Sequence, residues 1–261
     1  MKQTKPSYTL KQKEIVNYLY RFRFLHTNQF QKLFNHRDPH RVKEWLKDLK
    51  DNGYIGTNYK RQSFEQGNKP AIYFLKPKAR NILINEEDFD IDVFNKRIYR
   101  EHKRKERFVN HKLFVADMYL FFLEKKEKGE DIQFFTETDL TGYEYFPKTE
   151  LCAYIAAKTK RKTRRYLLNI FDPYTPAWVY RKKVKQYIKY AENGQWQENT
   201  DNAAFPLILF VCHSENMQTH TYKYAKAKLE NGSDNTIALF LTTKDKIKSS
   251  GENVDIWQKV E

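Results

Sequence analysis

Arg37, His40, Arg41, Lys43 and Lys47 fall within one short stretch, and all but the first lie beyond Pro39, a residue suited to open a helix. Cationic side chains repeated on one side of a helix fit the base edges and phosphates of a nucleic-acid duplex. A guanidinium pairs bidentately with guanine, whereas an ammonium acts as a point charge. Arg41 and Lys43 are the best placed of the set for base or near-base contacts. A second group, Lys60, Arg61, Gln62 and Lys69, occupies a polar loop containing Gly67 and suits contacts along a phosphate backbone. A third, Arg100, Lys103 and Arg104, belongs to the basic block from Lys96 to Arg107. A fourth, Lys160, Arg161 and Arg164, lies in the loop from Lys158 to Arg165. Phosphate contacts of this kind release counterions, so the affinity they give falls steeply with salt. The plain alternative for each group is a solvated face on an element that merely packs.

Covalent and metal chemistry find less to work with. Cys212, His213 and His220 are the nearest approach to a ligand cluster, but their spacing matches no common zinc pattern. Cys152 and Cys212 each sit in an apolar run and are expected to be reduced core thiols. No glycine-rich phosphate loop, nucleophile elbow or His-Glu-x-x-His helix is present. Tyrosine-mediated strand cleavage needs a run of three histidines beside the tyrosine. Tyr18 and Tyr20 have no such run.

The elements that would position the basic groups are legible from periodicity. Ile15, Tyr18, Leu19 and Phe22 recur at helical spacing and predict a helix over Leu10 to Phe24. Thr27 is read as an N-cap for a short helix through Phe30, Leu33 and Phe34. Val42, Trp45, Leu46 and Leu49 predict a third helix from Pro39 to Asp51, stopped by Gly53. Strand-like runs at Tyr54 to Lys60 and Ala71 to Leu75 follow. Three helices and a hairpin in this order predict a winged helix-turn-helix, with the third helix as the reading element.

Beyond the hairpin an acidic stretch, Glu86 to Asp92, can cap a helix or close the first domain. The basic block then enters an amphipathic helix carrying Phe108, Val115, Met118, Tyr119, Phe122 and Leu123. Strands are expected at Ile132 to Thr136, Leu151 to Ala157, Tyr166 to Phe171, Leu207 to Cys212 and Thr236 to Thr242. Helices are expected from Trp178 to Ala191 and from about Met217 to Leu229, and Ile256 and Trp257 are expected to pack back on the core. Such an order is best served by α/β layers around a mixed sheet. The overall class is therefore α+β, divided into a winged-helix domain at 1–88, a charged connection at 89–107 and an α/β domain at 108–261.

At 261 residues the chain can build two modest cores, and a formal net charge of +15 favours a polyanionic partner. No run is apolar and long enough to span a bilayer, and no signal-peptide core opens the chain, so a cytoplasmic protein without a membrane partner is expected. Aromatic residues make up 16% of the sequence, and their periodic placement assigns most of them to core packing rather than to base stacking.

Several stretches resemble the replication-relaxation family of plasmid and mobile-element proteins. They are LYRFRFLHTNQFQKLF, RVKEWLKDLKDNGYI and AIYFLKPKARNIL in the first part, and HKLFVADMYLFF, LLNIFDPYTP, VKQYIKYAENGQW, FPLILFVCHSEN and IALFLTTKDKI in the second. The resemblance implies a winged helix followed by a restriction-endonuclease-like core. In a working nuclease of that kind, carboxylates on two neighbouring strands hold Mg²⁺. Here the corresponding positions offer Glu150 and Asp172, with Ile170 where another carboxylate is expected, and Lys183 or Lys185 on the following helix. The implied domain is a degenerate nuclease with no cofactor of its own, and Mg²⁺ enters only if the domain cleaves DNA.

The resulting expectation is a duplex-DNA-binding protein acting in replication, relaxation or mobilisation, with a pseudo-nuclease domain holding DNA or a partner. Two alternatives stay open at this stage. One is a divalent-metal-dependent nuclease using Glu150, Asp172 and Lys183 or Lys185. The other is an adaptor that docks a relaxase or a replication initiator. Winged helices often read palindromes as homodimers, but no heptad seam marks a dimer interface here.

Overall fold

The computed structural model describes residues 8–58, 70–84, 86, 89–147, 151–230, 237–251 and 255–261. It divides into two compact units, Met1–Leu120 and Phe121–Glu261.

The first unit opens with α1 (Leu10–Phe22), capped by Thr9 in a reciprocal box with Gln12. The helix stops two residues before the expected Phe24, because Arg23 takes a positive φ of 70° and turns the chain. Leu25 and His26 then form a two-residue strand, β1 (Leu25–His26), which periodicity over so short a span does not reveal. The cap of the next helix, α2 (Thr27–Leu33), is His26 rather than Thr27. The His26 ring Nδ1 accepts from the Gln29 N–H at 3.2 Å, and Gln29 Oε1 accepts from the His26 N–H at 3.1 Å. The rest of the Gln29 side chain is used as well, donating to Leu113 O at 2.8 Å and Asp117 Oδ1 at 2.7 Å. Buried to 1%, Gln29 thereby satisfies its polar atoms and ties α2 to α6 (Glu106–Lys125).

Helix α3 (Pro39–Asp51) has the expected bounds, and both ends are chemically fixed. Asp38 caps the start by accepting from the His40 N–H at 2.8 Å, with Pro39 in the first turn. At the other end the Gly53 N–H reaches Lys50 O and the Tyr54 N–H reaches Leu49 O, both at 2.9 Å. This Schellman stop needs the positive φ of 76° that Gly53 supplies. Strands β2 (Ile55–Asn58) and β3 (Ile72–Leu75) pair antiparallel, and β1 joins the other edge of β3 to give the order β1-β3-β2. Gly56 is obligatory there, since a Cβ would sit 2.5 Å from the ring of its cross-strand partner Phe74. The core gathers Ile15, Leu19, Phe30, Val42, Leu46 and Ile55, all at most 1% exposed. The chain continues through a 3₁₀ turn (Pro77–Ala79), α4 (Arg80–Leu83), α5 (Ile91–Ile98) and a second 3₁₀ turn (Glu101–Lys103). The acidic stretch does cap a helix: Asp90 accepts from the Asp92 and Val93 N–H groups ahead of α5.

The second unit is a six-stranded mixed sheet in the order β4-β5-β6-β7-β8-β9. Strands β4 (Asp131–Thr136), β5 (Ala153–Lys158) and β6 (Thr163–Ile170) are antiparallel neighbours, so the basic loop is a hairpin as expected. Strands β7 (Leu207–Cys212) and β8 (Leu239–Thr243) continue from β6 in parallel. Parallel neighbours need crossovers. Helices α7 (Ala177–Glu192) and α8 (Gln195–Glu198) lie between β6 and β7, and α9 (Glu215–Glu230) lies between β7 and β8. Leu167, Ile208 and Leu239 are in register across β6, β7 and β8, and with Phe210, Tyr187 and Val184 they form the core under α7 and α9. Tyr145, Phe146, Tyr154 and Trp196 add a ring cluster with neighbouring centroids 4.7 to 6.3 Å apart. The tail differs in detail from expectation: after α10 (Lys244–Ser249), β9 (Gln258–Lys259) adds an antiparallel edge to β8. Its buried anchor is Val260, while Ile256 and Trp257 remain half-buried.

The histidine cap carries a pH signature. Burial holds the His26 ring below its ordinary value of 6.5, with Asp117 opposing, and only the neutral ring can accept from Gln29. The folded state thus binds this proton less readily than the unfolded chain. The stability it contributes is complete above the ordinary value and is lost as pH falls through the folded one. His26→Asn keeps an acceptor without a titration. Thermal unfolding should show its stability falling less than that of the wild type between about pH 7 and pH 5, and His26→Ala should cost about 1 kcal/mol at neutral pH. Identical pH slopes for wild type and His26→Asn would remove the cap from this role.

Candidate nucleic-acid interface

Helix α3 turns Val42, Leu46 and Leu49 inward and half-buries Trp45, whose ring meets Phe34 edge-on at 5.8 Å. Outside that face His40, Lys43, Lys47 and Lys50 are exposed. Lys43, Lys47 and Lys50 recur at i, i+4 and i+7, so their ammonium groups share one edge of the helix. Lys50 was missed by the sequence reading, although the spacing that identifies the apolar face also finds it. Arg37 is exposed just ahead of the helix. Arg41 is also exposed but engaged: it reaches Glu44 at 3.3 Å and lies 6.0 Å over the Trp45 ring. Asp48, on the far flank of the helix, accepts from Gln12 Nε2 and, at 2.9 Å, from Asn52 Nδ2. Lys78 closes the C-terminal end by donating to Asn52 O at 2.8 Å above the Tyr54 ring. The loop residues Lys60, Arg61, Gln62 and Lys69 lie outside the described residues.

Part of the basic block is spent on structure. Glu101, with a side chain 3% exposed, receives Arg23 at 2.6 Å and Arg104 at 3.5 Å. Arg104 also donates to Tyr99 O and lies over Phe108, and Arg23 donates to Arg97 O. Arg97 in turn donates to Arg21 O and covers the Tyr20 ring. Arg100 takes a positive φ of 55° and lies over Tyr99. Of the expected trio, Lys103 and Arg100 are exposed outside this network.

In the second unit the residues following β6, β7 and β8 come to one edge, because the three strands are parallel. Asp172 is there, held by Lys244 at 2.9 Å, with both side chains only 13% exposed. The sequence reading missed Lys244, since the register that brings it to Asp172 depends on the strand order. Lys183 is buried at 8% on the inner face of α7, whereas Lys185 is exposed on the outer one. Ile170 is buried at the end of β6, and Glu150 lies outside the described residues. One carboxylate already neutralised by an ammonium does not fit Mg²⁺, which needs several oxygen ligands in octahedral array. Among the described residues no group of three or more His, Cys, Asp or Glu side chains gathers. Burial pushes the Cys212 thiol up to about 12, with Thr221 opposing, so it stays protonated, and His213 and His220 are exposed.

The β5–β6 turn is ordered by Thr159, whose N–H donates to Lys162 O at 2.9 Å and whose Oγ1 accepts from the Arg161 and Lys162 N–H groups. Lys160 and Arg161 project from it exposed. Arg164 does not join them: its guanidinium donates to Glu127 at 2.9 Å and to Glu130 at 2.7 Å. Burial works to raise the Glu130 carboxyl, but Arg164 and the Glu127 N–H outweigh it and hold the group below its ordinary value. The stability so gained is present above that ordinary value and lost as pH falls through the folded one. Arg164→Ala would leave a carboxylate that is 2% exposed without its cation. The expected cost is on the order of 2 kcal/mol, less than for a fully buried pair because solvent reaches the guanidinium. Urea unfolding checks this, together with a weaker loss of stability between about pH 5 and pH 3 in the variant. An unchanged unfolding midpoint would return Arg164 to the exposed basic set.

No helix among the described residues is long and apolar enough to cross a membrane. No curated protein and no solved structure matches the chain. Residues 143–261, with most of the second-unit stretches that carry the resemblance, lie beyond the stretch that a family model matches. That stretch, residues 16–142, runs from the second turn of α1 through β4 and the turn after it, and it matches the model of the replication-relaxation family.

Proposed function

We propose that the chain is a duplex-DNA-binding protein acting in the replication or relaxation of a plasmid or mobile element. Residues 1–88 are its winged-helix reader, 89–107 the connection, and 108–261 a restriction-endonuclease-like domain without a working metal cage. The observation that carries the reading is the lysine edge of α3. Lys43, Lys47 and Lys50 stand exposed along one flank of the buried face of Val42, Leu46 and Leu49, on a helix whose two ends are both capped. A rigid helix with one cationic edge is what major-groove docking requires, and the order α1, β1, α2, α3, β2, β3 supports the winged-helix assignment. The wing residues Lys60, Arg61, Gln62 and Lys69 act as backbone anchors in this reading. The β5–β6 hairpin followed by the parallel strand β7 supports the endonuclease-like assignment. Its Asp172–Lys244 pair favours binding over cleavage.

In this reading Lys43 and Lys47 outrank Arg41, because Arg41 is shared between Glu44 and Trp45. The test is fluorescence anisotropy of labelled duplexes across a salt series. Lys43→Ala combined with Lys47→Ala should weaken binding and lower the slope of log affinity against log salt by about 2, at roughly 0.9 per phosphate contact. Arg41→Ala should have the smaller effect. Equal affinity and slope for the double variant and the wild type would reject α3 as the reader.

A further inference from the structure

The outer face of α7 is not used by the duplex-reading site. The helix carries five Lys or Arg side chains against a single acid, Glu192 in its last position. Tyr180, Lys183, Val184, Tyr187 and Tyr190 are buried, so the remaining positions form a separate outer stripe. Trp178, Lys182, Lys185 and Lys189 are all exposed on it. At 3.6 residues per turn these positions fall within an arc of about 60° and along roughly 16 Å of helix. Arg181 borders the stripe, its guanidinium 5.4 Å over the Tyr224 ring.

Two rings at the start of this stripe are exposed as core aromatics are not. Trp178 is 65% and Tyr174 76% exposed, whereas Trp196 in the same unit is 1% exposed. The loop presenting Tyr174 is stiff. Pro173 and Pro176 flank the segment, the Thr175 N–H closes a turn on Asp172 O at 2.9 Å, and the Asp172 N–H donates to Thr175 Oγ1 at 3.0 Å. Lys244 fixes Asp172 itself. The ring is thus offered to solvent by a braced turn, so a ligand that stacks on it meets a preorganised surface.

We infer that the outer stripe of α7, with the Tyr174 ring beside its start, is a platform for single-stranded nucleic acid. Lys182, Lys185 and Lys189 track the phosphates while Trp178 and Tyr174 stack on bases. A duplex satisfies the lysines alone, because its bases are already stacked on one another. Only unpaired bases offer faces to the indole and phenol rings. An acidic protein surface would likewise meet the charge and leave the rings idle. This inference concerns a different unit from the duplex reading and stands independently of it.

The experiment measures the full chain with fluorescein-labelled oligothymidylate and, separately, with a duplex. Trp178→Ala and Tyr174→Ala should each weaken oligothymidylate binding by about tenfold, and Trp178→Phe, which keeps a π-face, should recover most of that loss. Replacing Lys182, Lys185 and Lys189 together by Ala should lower the single-strand salt slope by about 2, at roughly 0.7 per contact. Duplex affinity should be unchanged in the ring variants, and Lys43→Ala with Lys47→Ala should leave oligothymidylate binding intact. Failure of duplex binding alone would therefore count against the α3 reading and not against this one. The platform is overturned if the wild type does not bind oligothymidylate, or if Trp178→Ala with Tyr174→Ala binds it as tightly as the wild type. Loss confined to the lysine variant also overturns it, since that outcome describes charge without stacking.

Discussion

A chain with a net charge of +15 must place its cations where they do not prevent compaction, and three buried or nearly buried carboxylates fix where four of them go. Glu101 collects Arg23 and Arg104, Glu130 collects Arg164, and Asp172 collects Lys244. Each acid is buried or nearly so, and a carboxylate out of water is tolerable only when it is paired and hydrogen-bonded. The pairs therefore oblige particular arginines and lysines to turn inward. Among the described residues, exposed cations line the edge of α3, the stretch from Lys96 to Arg107, the outer stripe of α7 and the tip of the β5–β6 turn.

The same logic separates the roles of neighbouring basic residues. From Lys96 to Arg107 the sequence offers either a phosphate-tracking surface or a solvated helix entrance. In the structure Arg97 and Arg104 hold backbone carbonyls and rings, and Glu101 sits at the centre of the group. Between Lys158 and Arg165 the tip residues are free to project, but Arg164 two positions into the strand is clamped. A buried acid decides the outcome in each case, within the block for Glu101 and 34 positions away for Glu130, and composition cannot tell which cation it takes.

Legibility followed the range of the determining interaction. Helix α3 was readable, because Pro39, the Val42-Leu46-Leu49 spacing and Gly53 are all local signals. The five main strands were readable as apolar runs, and the β5–β6 hairpin from its loop. What escaped depends on contacts across the chain. Strand β1 has only two residues and exists because β3 pairs with it. His26 caps α2 because the chain turns there, which moves the cap one residue before the Thr27 that composition favours. Lys244 reaches Asp172 through the parallel order of β6, β7 and β8, across 72 positions of sequence. Trp178 and Tyr174 escaped for a different reason. Aromatic periodicity assigns rings to the core by default, and only their exposure in the fold separates these two from Tyr180 and Tyr187.

The Asp172–Lys244 pair also bears on the loop that follows β6. At the carboxyl edge of parallel strands a lone carboxylate presents a partly dry negative charge, and a cation must neutralise it. Several carboxylates together would favour a divalent ion. With isoleucine at position 170, a single lysine suffices, and the ammonium comes from the residue that opens α10. A metal would have left coordination positions open to water and substrate. An ammonium on a covalently attached stem instead links the end of β8 to the loop after β6, bracing the turn that presents Tyr174. The pair thus holds a neighbouring loop still, and a rigid loop is what a stacking surface needs.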